Sequence, residues 1–137
     1  MADHQDRDLA ERWLTNQRLV QPASRGPGER FTAPSGFDWS VYDAVLDLVL
    51  DSNTELNRAW SFAALLLNFA QDDQDIRNVA GHMLEPLLRE HGTQLLPEVE
   101  ARIQTDQRFR RALEGIYLYG PIEDLAVRHG IHRPLPT

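Results

Sequence analysis

The sequence predicts an all-α domain of six to seven short helices, arranged as stacked HEAT-like hairpins or as a compact bundle. Three observations predict it. Apolar residues recur at helical spacing in almost every stretch from residue 37 onward, and no apolar–polar alternation runs long enough to make a strand. Residues 84–92 (LEPLLREHG) also align without gaps on residues 122–130 (IEDLAVRHG), at an offset of 38 residues, near the period of helix-hairpin repeats. The composition agrees, since 137 residues that are 42% hydrophobic and 26% charged suffice for a core without staples. Cysteine is absent, which removes disulfides, thiolate metal sites and thiol nucleophiles.

Each element has its own signal. Over residues 3–20, Leu9, Ala10, Trp13 and Leu14 form an apolar stripe with Asp6, Arg7, Glu11 and Arg12 on the other side, which predicts an amphipathic helix. Half of residues 21–36 are Pro, Gly or Ser, the composition of a linker, so the chain divides into an N-terminal helix with linker (1–36) and a helical domain (37–137). A helix is predicted over 39–50. Ser52 and Glu55 have the spacing of a capping box ahead of a helix over 53–70 whose apolar residues cover nearly every face, the mark of a central helix.

Asp72, Asp73 and Asp75 place negative charge at the start of the next helix, where the backbone N–H ends favour it. That helix carries Ile76, Val79, Ala80, Met83, Leu84, Leu87 and Leu88 and is expected to stop at His91 and Gly92, with a bend at Pro86 where a ladder bond is lost and the His82 carbonyl is crowded. Further helices are predicted over 95–103 and 106–117, and a short last one ends at His129 and Gly130. The expected core contains Trp60, Phe62, Leu66, Val79, Met83, Leu87, Phe109 and Leu113.

Over residues 53–119 the chain resembles a family of small bacterial helical domains of unknown function. The resemblance rests on Ala59 and Trp60, Asp72 and Asp73, the Val79, Ala80, Gly81 step, Leu84 and Glu85, Leu87 and Leu88, His91 and Gly92, and the run from Phe109 to Leu113 followed by Tyr117. The chain departs from that pattern with Met83 where Pro is usual, Pro86 shifted downstream, and Tyr117 in place of Trp. These are core and cap positions, so the resemblance implies a fold and no activity.

Charge narrows the partners. Fourteen basic residues, all Arg, stand against 21 acids, for a net charge of −7, which repels phosphate backbones and anionic lipid. No nucleic acid and no membrane are expected. The longest uncharged run, residues 59–71, is too short for a membrane span of about 20 residues, and no secretory signal is visible near the start; a cytoplasmic location is expected. Residues 37–76 hold eight acids and one base, Arg58, and so account for the whole net charge.

That concentration gives the leading expectation, a non-catalytic protein-binding module that uses Asp43, Asp47, Asp51, Asp72, Asp73 and Asp75 against a basic protein partner. An immunity-type inhibitor of a basic bacterial toxin fits that description. A plain solvated acidic face is the blander explanation. The rival from another class is an enzyme or small-ligand sensor with a polar pocket around His82, Glu85, Arg89, Arg108 and Arg111, since a Glu and a His in hydrogen-bond reach can exchange protons. The same residues make an ordinary polar helix face, with the arginines in internal salt bridges reaching Glu85. A third reading is a scaffold or homodimer formed through the helix around Trp13. No catalytic residue, metal site or cofactor is assigned; the single His and Glu spacing lacks the second set a di-iron bundle needs.

Overall fold

The computed structural model describes residues 4–20, 35–51, 53 and 55–131, and every regular element in them is helical. In order these are α1 (His4–Leu19), α2 (Trp39–Leu50), α3 (Leu56–Phe69), α4 (Asp73–Val79), a π-helical turn (Ala80–Leu84), α5 (Glu85–Thr105), α6 (Gln107–Glu114) and α7 (Gly120–Arg128). The linker assigned to residues 21–36 lies almost wholly outside the described residues, as does Ser52 of the proposed capping box. Glu55 occupies the N-cap of α3 without a side-chain bond to the helix amides, its carboxylate lying 3.7 Å from the Arg58 guanidinium instead.

Aspartate starts three of the helices. The Asp38 carboxylate accepts from the backbone N–H of Ser40 and Val41, that of Asp72 from Asp75, and that of Asp106 from Arg108 and Phe109. Each satisfies amide donors that the first turn leaves without an intrahelical partner. The bond from the Ser40 hydroxyl and the two amide donors hold the Asp38 carboxyl below its ordinary value.

One sequence expectation changes in the middle of the chain and another holds. Ahead of Pro86 the helix widens to π geometry, with the Glu85 N–H donating to the Ala80 carbonyl five residues back. The wider turn relieves the crowding that the proline ring would impose on the His82 carbonyl, so the bend is absorbed over Ala80–Leu84. The expected helix end at His91 and Gly92 is a real break: His91 leaves helical geometry (φ −128°, ψ 19°), and α5 consists of two helical runs joined across this kink, the second reaching Thr105. Gly92 is also a packing position, because a Cβ there would lie 3.1 Å from the Cγ1 of Ile122 on α7. The two similar nine-residue stretches thus meet at the α5–α7 contact, and of their two glycines only Gly130, at φ +77°, takes the left-handed conformation of a helix stop.

α3 is the central helix, packed against α1, α2, α4 and α6, while α5 carries α6 and α7. All eight residues expected in the core are buried, with the Trp60 and Phe109 rings meeting edge to face at 5.7 Å. α1 is part of this body. Its Ala10, Trp13 and Leu14 are buried, and three polar links hold it: Asn16 exchanges hydrogen bonds with the Asp38 backbone at 2.8 and 2.9 Å, Arg18 pairs with Asp75 at 2.7 Å, and Arg58 pairs with Asp6 at 3.2 Å. No helix among the described residues is long and apolar enough to cross a membrane.

Candidate functional site

The six aspartates assigned to partner binding have four different fates. Asp75 is 1% exposed and is not a surface group. Its carboxylate accepts from Arg18 Nε and Nη2 and from the Gln71 N–H. Burial raises its pKa, but the Arg18 hydrogen bond, the Gln71 N–H and the Arg18 charge outweigh that and leave it below the ordinary value. Asp72 is exposed but caps α4, and Asp73 pairs with Arg111 at 3.0 Å.

Asp43, Asp47 and Asp51 remain. They are exposed on one side of α2, and their carboxylates make no ion pair or hydrogen bond among the described residues. At ~100° per residue, Trp39, Leu46 and Leu50 fall within roughly 40° of arc beside them, opposite the buried Val41, Val45 and Leu48. These three are exposed by 49%, 41% and 65%, respectively, large values for side chains of their kind. Phe37, Trp39 and Tyr42 gather at the start of the same face, with ring centroids 4.9 to 6.1 Å apart. The outer face of α2 is therefore an apolar row with an acidic edge. The apolar row was missed in the sequence because Val41, Val45 and Leu48 already account for a core-facing stripe; the signal was that α2 carries a second apolar stripe on its opposite side.

The residues of the expected polar pocket separate. Arg108 and Arg111 line an open groove of about 530 Å³ between the α3–α4 turn and α6, shared with Asp72, Asp73, Arg110 and Glu114. His82, Glu85 and Arg89 do not line it. Glu85 and Arg89 form no ion pair among the described residues, and the salt bridge from α6 to α4 runs from Arg111 to Asp73 rather than to Glu85. His82 sits on the π-helical turn with its ring edge-on to Trp13 at 5.7 Å, and loss of water on that side lowers its pKa although the residue keeps an exposed edge. No group of three or more His, Asp or Glu side chains is gathered as for a metal ion among the described residues. Trp13, the anchor of the homodimer reading, is buried inside its own chain.

No family model, curated protein or solved structure matches the chain. The outer face of α2 and the α6 groove therefore stand on their own geometry.

Proposed function

We propose that this protein is a non-catalytic binding module that docks a basic protein through the outer face of α2, in the manner of an immunity-type inhibitor of a basic bacterial toxin. One observation carries the reading: Asp43, Asp47 and Asp51 are exposed, and make no ion pair among the described residues, next to the exposed row Trp39, Leu46 and Leu50. The apolar row supplies area to bury and the acidic edge supplies orientation and fast encounter. A second copy of the chain suits this face poorly, because two such edges would bring like charges together.

The test is capture of partners on immobilised protein, comparing the unaltered chain with Asp43→Lys/Asp47→Lys/Asp51→Lys and with Leu46→Ser/Leu50→Ser. The reading expects a basic protein retained by the unaltered chain and lost by both variants, with affinity falling as salt rises. Retention unchanged by either variant, at circular dichroism equal to the parent, rejects the α2 face.

A further inference from the structure

The exposed side of α2 has a period of its own. α2 packs against α1 and α3, and its Val41, Val45 and Leu48 are buried. On the outer side Trp39, Asp43, Leu46 and Leu50 follow one another at intervals of four, three and four residues. At ~100° per residue they share an arc of roughly 60°, and at ~1.5 Å per residue the row is about 17 Å long. Alternating steps of four and three make the seam along which one helix receives the side chains of a second, crossing at about 20°.

An extended peptide matches this row less well. Side chains on one face of a strand recur every ~6.8 Å, whereas the steps along the row are about 6, 4.5 and 6 Å, so a strand falls out of step before the row ends. Every regular element among the described residues is helical, so they offer no sheet edge to which a peptide could add by backbone pairing.

Charge then sets the chemistry of the occupant. Asp43 stands within the seam, between Trp39 and Leu46, and makes no ion pair or hydrogen bond among the described residues. Covering it with apolar side chains alone would strip a carboxylate of water, which is costly unless a cation takes the place of that water. Asp47 continues the negative charge along one flank, while Tyr42 and Val49, half-buried, form the other. The face is therefore an apolar seam with one carboxylate inside it and charge on a single flank.

Resting on the reading of α2 as a docking face, we propose that the element it receives is an amphipathic basic α-helix of three or more turns. Its apolar residues recur at alternating steps of three and four, with a Lys or Arg opposite Asp43 and another along the Asp47 flank.

Panning a phage-displayed library of random peptides on the full-length protein tests it, with peptides of about 16 residues, long enough to span the row as a helix. Enriched peptides are then synthesised and titrated against the parent, Leu46→Ser/Leu50→Ser and Asp43→Lys. The expected sequences carry apolar residues at three- and four-residue steps with Lys or Arg between them. They gain helical circular dichroism on binding and lose affinity about tenfold or more against each variant. The substituted side chains are exposed, so both variants keep the parent's own circular dichroism. Peptides that need the α2 face but bind in an extended or proline-rich form overturn the helical occupant and leave the docking face standing. A helical peptide indifferent to Asp43→Lys overturns the pairing at the seam, and with it the proposal. Enrichment of no peptide, or only of peptides that bind both variants as tightly as the parent, overturns the proposal and counts against the docking face as well.

Discussion

Asp75 shows how much a single carboxylate can depend on a residue far along the chain. It stands with Asp72 and Asp73 in one acidic run, and local spacing gives all three the same role. Arg18, 57 residues earlier, separates them by drawing Asp75 inside. Asp75→Asn should destabilise the protein by about 1–3 kcal/mol at neutral pH, the lower end reflecting the partial exposure of Arg18. The pH dependence has a definite sign. Because the folded carboxyl is more acidic than its ordinary 3.8, the pair contributes fully above that value and is lost as pH falls through the lower folded pKa. Urea unfolding at stepped pH should therefore show parent and variant well separated near neutrality and converging below about pH 4. A constant gap at all pH values would mean that ionisation of Asp75 has no part in the stability. The other fates in the run, a cap for Asp72 and a bridge to Arg111 for Asp73, depend equally on geometry that spacing alone does not carry.

At the scale of elements, the sequence was most legible where burial is one-sided and least where the backbone departs from regular helix. The stripe on α2 and the all-round apolar character of α3 gave both helices to within a few residues, and burial follows those stripes. The segment from Asp73 to Thr105 was harder. The His and Gly pair marks a true break at the single non-helical residue His91, but it carries no sign that a second helical run follows at once, with Gly92 leaving room for the close approach of Ile122. The π-helical turn was legible only as a difficulty, Pro86, not as its solution.

α1 is where element and residue meet, since nothing in its amphipathic pattern says what it packs on. Asn16 settles its register by exchanging two hydrogen bonds with the backbone of Asp38, at the start of α2. Asn16→Ala leaves the Asp38 N–H and carbonyl short of those partners, so a loss of about 1–3 kcal/mol is expected in chemical unfolding. Accelerated amide exchange along α1, with α3 unchanged, would locate the loss in the docking of α1. Uniform acceleration would assign it to the whole fold.

Over the described residues, about half of the charged side chains are put to structural use, and the three aspartates on the outer face of α2 are not. Asp38, Asp72 and Asp106 cap helices, Asp75 and Asp73 pair with arginines, and Arg108 and Arg110 close helix ends. Asp43, Asp47 and Asp51 stand four apart, so neighbours repel by a few tenths of a kcal/mol each, and the latter two lie near the helix C-terminus, where the dipole disfavours negative charge. A local rule broken without internal compensation is expected where a sequence serves binding rather than stability. Asp43→Asn/Asp47→Asn/Asp51→Asn should therefore stabilise the protein, by roughly 0.5–1.5 kcal/mol at low salt, and the gain should shrink as ionic strength screens exposed charges. Thermal unfolding of parent and variant across a salt series measures it. A variant less stable than its parent at low salt would show that these aspartates support the fold, and the argument that α2 keeps them for a partner would lose its energetic basis.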